Sequence, residues 1–315
     1  MAYGPDVFVW GGFTPGGQQD NSIIWIFNSF TREWKAQICT GELPEGSEGS
    51  CALAHNGFLY LFAGFSSSSL TYNKCLYRLD LKTFVWSRAD GIPHEGALFP
   101  SERQNVCGWV YGNKLYYFGG VGPDINSDPT FIKGCGTWQP SIQQPTVGPN
   151  NQVVAFDLDT GHWEGVVTHG TPPLPRQAMG CAIADQRYVF IFGGVHNTPL
   201  NDLHRLDMAD LHWSGDWLPS PSSIEPSGRY SCTLSAVSND LLFLYGGVDP
   251  HKAGIADFVH TISTRTWTQT SNVPDLGANC LFQHTASTVV SPPRAPGYPG
   301  VYVFGGILDT RYQSF

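Results

Sequence analysis

The chain has 315 residues, 41% of them hydrophobic and 13% aromatic, enough apolar material for a large core. Its formal charge is −9, from 17 Lys and Arg against 26 Asp and Glu. That balance opposes a nucleic-acid or anionic-membrane surface, either of which needs a basic footprint.

With 36 Gly, 23 Pro and only 14% charged residues, the composition suits many short strands joined by tight turns. The first residues, Met1 to Asp6, contain neither a basic segment nor an apolar h-region, so no secretory signal is expected. No run of about 18 apolar residues follows, so no membrane span is expected either. In chain order, six short hydrophobic strands then end in two small residues. They are Val7–Trp10 before Gly11-Gly12, Phe58–Phe62 before Ala63-Gly64, and Leu115–Phe118 before Gly119-Gly120. Next come Tyr188–Phe192 before Gly193-Gly194, Leu241–Tyr245 before Gly246-Gly247, and Val301–Phe304 before Gly305-Gly306. The second small residues are 52, 56, 74, 53 and 59 positions apart. A period of that size marks one supersecondary unit copied around a propeller, so residues 1–315 are read as a single all-β domain.

A second element sets the register. After five of the six pairs comes a strand ending in a short polar residue, then a Trp six positions later: Asn28/Trp34, Asp80/Trp86, Asp157/Trp163, Asp207/Trp213 and Thr261/Trp267. The short polar side chain can bond backbone N–H groups two or three residues on and hold a tight turn. The Trp then opens the next strand and offers a large apolar face to the neighbouring blade.

Each unit therefore reads as four antiparallel strands, a to d. Strand a is predicted at Gly49–Ala54, Val106–Tyr111, Met179–Ile183, Cys232–Val237 and Thr285–Val290. Strand b ends in the small pair, c ends at the polar turn residue, and d carries the Trp. The end of b and the start of a fall on one face, the mouth, where propellers usually bind. The chain starts at a strand b with no room for a preceding strand a, and shows no c or d strand after Gly306. The expectation is six blades with the first and last incomplete; a five-bladed closure with one spare strand is the alternative. From Gly120 to Asp157 is 37 residues, against 13 to 16 elsewhere, so an insertion at about 121–150 is either a binding loop over the mouth or a surface loop.

Eight cysteines stand singly with no CxxC pair, several in apolar strand contexts such as Cys51-Ala52-Leu53, so reduced thiols in the cytoplasm or nucleus are expected and a zinc site is not. No GxSxG, phosphate loop or HExxH occurs, and no histidines pair at HxH or HxxxH on the mouth loops. The reading is non-catalytic, without cofactor or metal. A metal-dependent enzyme, which needs His, Tyr, Glu or Asp ligands converging from different blades, remains the least favoured alternative.

The repeat resembles the kelch family over essentially the whole chain. Several stretches are similar to kelch domain-containing proteins 1 and 2: Val7-Phe8-Val9-Trp10-Gly11-Gly12, Gly49-Ser50-Cys51-Ala52, Leu59-Tyr60-Leu61-Phe62, Trp109-Val110-Tyr111, Asn113-Lys114-Leu115 and Asn201-Asp202-Leu203-His204. The resemblance implies a substrate receptor of a cullin–RING ubiquitin ligase that captures a free protein C-terminus ending in glycine. In that family arginines, a serine and aromatic residues clamp the terminal carboxylate. Here the arginine positions fall on Val195 and near Pro199, and the serine and tryptophan positions on Tyr230 and Ser231. The aromatic and insertion-tryptophan positions fall on Val121 and Asn151, and no ligase-recruiting box is visible.

A different constellation occupies equivalent positions. Arg103, Arg176 and Arg229 lie 16, 17 and 17 residues before Gly119, Gly193 and Gly246, ahead of strand a in three successive blades. Guanidinium groups there suit a bidentate grip on a carboxylate, or else tie loops together within each blade. Gln104, Gln177, Tyr230, Ser231, Gln283 and His284 would add donors and an aromatic wall. His196, Phe13, Phe65 and Trp138 complete the candidate mouth. The expected ligand is a short peptide or a protein C-terminus. The alternative is a scaffold that binds a folded partner through loops or an edge.

Overall fold

The computed structural model describes residues 1–12, 20–45, 47–90, 97–142, 144–216, 224–251, 257–270, 281–289 and 300–308. Blade 1 comprises β1 (Ala2–Tyr3), β2 (Asp6–Val9), β3 (Ile23–Asn28) and β4 (Glu33–Ile38). Blade 2 adds a connector strand β5 (Thr40–Gly41) to β6 (Cys51–His55) and β7 (Phe58–Phe62). A small hairpin follows, β8 (Phe65–Ser66) and β9 (Thr71–Tyr72), then β10 (Leu76–Asp80) and β11 (Val85–Arg88). Blade 3 holds β12 (Cys107–Tyr111), β13 (Lys114–Phe118), the hairpin β14 (Val121–Pro123) and β15 (Val147–Pro149), then β16 (Val153–Asp157) and β17 (His162–Gly165). Blade 4 runs from a connector β18 (His169–Thr171) through β19 (Gly180–Ala184), β20 (Tyr188–Phe192), β21 (Leu203–Asp207) and β22 (His212–Asp216). Blade 5 is β23 (Thr233–Ala236), β24 (Leu241–Tyr245), β25 (Phe258–Thr261) and β26 (Thr266–Gln269). Part of a sixth follows: β27 (Leu281–Phe282), β28 (Thr285–Val289), β29 (Gly300–Phe304) and β30 (Ile307–Leu308).

Each of the five blades is an antiparallel meander in sequence order, as the repeat predicts. One expectation is corrected at the start of the chain. Ala2 and Tyr3 pair with Val7 and Asp6, so blade 1 does have a strand a, in the two-residue form β1. Among the described residues the sixth blade shows a and b only, β28 paired with β29.

The small pairs have a conformational cause. Both residues of every pair are left-handed, from φ 61° at Gly246 to φ 114° at Gly64, and only Ala63 departs from glycine. A methyl on Gly120 or Gly194 would stand 2.7 Å from the carbonyl of Gln104 or Gln177. Four of the five polar turns form as anticipated; at the fifth, after Thr261, the Ser263 amide donates to Asp240 Oδ1 at 2.7 Å instead. Asn28 accepts from the Phe30 and Thr31 amides, Asp80 from Lys82 and Thr83, Asp157 from Asp159 and Thr160, and Asp207 from Ala209.

The contacts divide the chain into two compact units, Met1–Val167 with Ser287–Tyr302, and Thr168–Ala286 with Val303–Phe315. Within the first, Trp86 packs among Phe8, Ile24, Ile26, Leu59 and Leu79. A second cluster there joins Phe62, Leu76, Tyr117, Phe156 and Trp163. Within the second unit, Trp267 packs with Phe192, Leu203, Leu244 and Phe258. The connectors after strand d reach forward: β5 pairs parallel with β11, and β18 with β22.

The insertion is part core and part surface. Phe131, Ile132 and Cys135 are buried, and Ile132 and Cys135 join the Phe62–Trp163 cluster. The Ile132 amide donates to Phe99 O at 2.9 Å, and Phe99 N donates to Thr130 O at 2.9 Å, so the insertion engages the connector of blade 3.

Candidate functional site

The loop before strand a meets the loop after strand b in the same way in every blade where both are described. Glu48 bridges Phe65, Gln104 bridges Val121, Gln177 bridges Val195, and Tyr230 bridges Val248. In all four the backbone bonds run both ways, at 2.8–3.2 Å. Phe282 faces Ile307 in the same relation. The residue after each bridging position is left-handed: Gly49 (φ 67°), Asn105 (55°), Ala178 (56°), Ser231 (53°) and Gln283 (55°). Composition hides this feature, because four of the five are not glycine.

Adjacent blades are stitched at this level. In the first unit Gly64 N donates to Arg103 O and Asn105 N to Gly49 O, both at 2.8 Å. In the second, Gly194 N donates to Arg229 O at 2.9 Å and Ser231 N to Ala178 O at 2.8 Å.

The three arginines occupy equivalent positions, as their spacing predicts, and all three are fully buried. Each Nε donates to a carbonyl two residues back: Ser101 (2.9 Å), Leu174 (3.0 Å) and Ser227 (3.2 Å). Each Nη1 donates to the first glycine of its own pair: Gly119 (3.3 Å), Gly193 (2.9 Å) and Gly246 (3.2 Å). The arginine is thus a clamp joining the entry of strand a to the end of strand b.

The partner at the entry of strand c differs among blades. Arg176 meets Asp202 as a bidentate pair, 2.6 and 2.7 Å, and His204 Nε2 lies 2.7 Å from the same carboxylate. Burial alone would raise the Asp202 pKa. The Arg176 and His204 hydrogen bonds outweigh it and hold the carboxyl below its usual range. Asp257 receives the Gly246 amide at 3.0 Å, and burial raises its pKa despite the nearby Arg229 charge. Arg103 has neutral partners: Asn150 Oδ1 (3.0 Å), Gln152 Oε1 (2.7 Å) and Ser101 Oγ (2.7 Å). Burial lowers its pKa to about 10, with the nearby Cys135 opposing the shift.

The other candidates lie above these clamps. Gln104, Phe65 and Trp138 are half-buried in the first unit; Gln177, His196, Tyr230 and Ser231 are half-buried in the second. Phe65 meets Tyr72 edge-on at 5.1 Å across β8–β9. Trp138 Nε1 donates to Gly122 O at 3.2 Å, which holds the insertion ring against β14. His196 Nδ1 donates to Pro175 O at 2.8 Å. His284 is buried, bonded to Thr233 Oγ1 at 3.0 Å and packed edge-on against Tyr245, so it serves blade packing. Gln283 is exposed, and Phe13 lies outside the described residues. The seven described cysteines are free thiols. No helix among the described residues is long and apolar enough to cross a membrane.

Repeated four-stranded blades with left-handed small pairs, a d-strand Trp and an arginine clamp define an all-β kelch-type propeller. Residues 1–247 match the KLHDC2/KLHL20/DRC7 Kelch-repeats domain, and the chain belongs to that family. It is 32% identical over 286 residues to mouse (Mus musculus) kelch domain-containing protein 1, covering 85% of this chain and 66% of that protein. To kelch domain-containing protein 2 of cattle (Bos taurus) it is 35% identical over 282 residues, 84% of this chain and 66% of the relative. With the rat (Rattus norvegicus) protein of that name it shares 35% identity over 324 residues, 97% and 74% of the two chains. The chain thus spans just under two thirds of the first two relatives.

Proposed function

We propose that the chain is a non-catalytic recognition propeller that takes a short peptide on the loop edge where strand-a entries bridge strand-b exits. The supporting observation is the bridge itself. It fixes Gln177 and Tyr230 on neighbouring blades by two-way backbone bonds, with their side chains half-buried. A rigid backbone carrying amide, imidazole and aromatic side chains suits a peptide, which needs hydrogen-bond partners and a surface for apolar residues. The arginines serve this reading from beneath, as ties that hold the loops, because all three are fully buried and each bonds the strand-a entry and the strand-b end of its own blade. Substrate selection for a cullin–RING ligase is the role that the family resemblance suggests for such a face.

The test is binding of the chain to a library of peptides with free or amidated C-termini, beside Tyr230→Ala and Gln177→Ala variants. Tyr230→Ala is expected to weaken binding by about tenfold, the scale of one lost aromatic contact. Amidation is expected to change affinity by less than about twofold, too little for a lost charge-assisted pair. Peptide binding that ignores both variants would sink the reading and favour a scaffold contacting partners elsewhere. Binding lost on amidation would restore a carboxylate grip.

A further inference from the structure

One hairpin stands outside the repeat. Among the described residues thirteen non-glycine residues are left-handed, and twelve of them fall at places that recur from blade to blade: the small pair, the strand-a entry, the a–b turn or the c–d turn. The thirteenth is Leu70, at φ 56° on the tip of the β8–β9 hairpin of blade 2. It is also 75% exposed. A leucine there carries two costs, a backbone that favours glycine or asparagine and an apolar side chain left in water. No position of the repeat calls for the first, and the second does nothing for the core. Local strain of this kind persists where a contact outside the fold uses it.

The tip is firmly held. Phe65 meets Tyr72 edge-on across the hairpin, and Ser69 Oγ lies 2.7 Å from Thr71 Oγ1. The hairpin also reaches two carboxylates on the segment that enters strand a of the same blade. Ser67 Oγ donates to Glu48 Oε1 at 2.6 Å, and Ser69 Oγ to Glu45 Oε2 at 3.3 Å. Glu48 is the bridging residue opposite Phe65, a position filled by Gln104, Gln177 and Tyr230 in blades 3 to 5. Of these four blades, blade 2 thus places a charge at the bridge. A hydroxyl orients a carboxylate without cancelling its charge. Fixed negative charge therefore stands beside an exposed leucine on one short hairpin.

We propose that the β8–β9 tip and its two glutamates select a peptide in which a Lys or Arg stands close to an aliphatic residue. The inference rests on the peptide reading above and names the chemistry of the peptide. The aliphatic side chain covers Leu70, and the cation meets Glu48 and Glu45. Leu70 leaves water only in the complex, so its apolar area favours binding and not the free fold. The carboxylates are already oriented by Ser67 and Ser69, so little ordering is needed when the cation arrives. The formal charge of −9 on the chain draws a cationic segment rather than an acidic one.

The probe is a pooled library of random short peptides, in free-acid and amidated form, selected on the full chain and sequenced before and after selection. Lys and Arg should be enriched about threefold in the retained pool, the scale of an exposed ion pair, with Leu, Ile and Val enriched near them. Glu45→Gln with Glu48→Gln should abolish the basic enrichment while neutral peptides are still retained. Leu70→Gly should remove the aliphatic enrichment with a melting temperature no lower than the parent's, because glycine relieves the left-handed backbone. A lower melting temperature with unchanged selection would make Leu70 a structural residue and overturn its part in recognition. A retained pool without basic enrichment, or one that the double variant leaves unchanged, overturns the proposal and leaves peptide recognition standing. A retained pool identical in composition to the input overturns both.

Discussion

His260 stands opposite Trp267 with the rings 4.6 Å apart, at the cross-strand position where Leu79, Phe156 and Leu206 face Trp86, Trp163 and Trp213. It is fully buried, and neither ring nitrogen has a hydrogen-bond partner. Blade 5 therefore holds a polar ring in a slot that is aliphatic or aromatic in the other intact blades, which costs desolvation without return.

Acid should exploit that slot. Burial pulls the His260 pKa from 6.5 to about 4, with Asp240 opposing the shift. A lowered histidine pKa means that the unfolded chain binds the proton first. Stability is therefore intact above pH 6.5 and falls as the pH drops towards 4, by a total on the order of 3 kcal/mol. His260→Leu should remove this slope and raise the neutral-pH midpoint. Urea melts between pH 7 and 4 check it; an unchanged slope in the variant would place the acid sensitivity elsewhere.

The Asp202 pair titrates lower. Arg176 and His204 hold its carboxyl below the usual carboxylate range, so its contribution is present at neutral pH and is lost only as the pH falls below that range. Asp202→Asn leaves Arg176 buried without its anion and should cost ~3 kcal/mol. Arg103 already works with the neutral Asn150 and Gln152, so Gln152→Ala should cost less, ~1–2 kcal/mol, the scale of one buried hydrogen bond. Denaturant melts of both variants at pH 7 would show the ranking, and equal costs would contradict the charge argument.

Much of the blade pattern was readable because periodicity and composition encode it. A strand ending in two left-handed residues must end in glycine or something nearly as small. A turn capped by Asp or Asn six residues before a Trp repeats its own geometry. The equivalence of Arg103, Arg176 and Arg229 was likewise a matter of counting. Their role was not, since the same spacing serves a mouth-lining grip or an internal clamp until the acceptors are known. One signal was available: Gln152, Asp202 and Asp257 each stand immediately before strand c in the three blades that carry an arginine, whereas blades 1 and 2 have Ser22 and Cys75 there. The two-residue β1 was too short for any alternation to show.

The left-handed entry to strand a offers a paired test. Ala178 adopts φ 56° where blade 2 uses Gly49 at φ 67°. Ala178→Gly should stabilise by ~0.5 kcal/mol, since relief of left-handed strain, about 1 kcal/mol, exceeds the added entropy of the unfolded chain. Gly49→Ala should destabilise by ~2 kcal/mol, because the new methyl adds a collision with Asn105 to the backbone strain. Thermal melts moving in opposite directions would establish that the conformation at this position is common to both blades. Parallel shifts would refute it.

The insertion should separate into two functional halves. Ile132 is buried among Phe62, Tyr117 and Trp163, so Ile132→Ala removes core volume and should cost ~2–4 kcal/mol. Trp138 is half-buried and its Nε1 donates to Gly122 O, beside the Gln104–Val121 bridge that the peptide reading uses. Trp138→Phe should therefore change stability by less than about 1 kcal/mol, a single exposed-side hydrogen bond. If the ring belongs to the recognition edge, Trp138→Ala weakens peptide binding while the melting temperature stays near that of the parent. Stability losses of equal size in the two variants would mean that the whole insertion is a structural strut. The contrast arises because one segment must both fill the space beside β17 and return along β15, so its two arms answer to different surroundings.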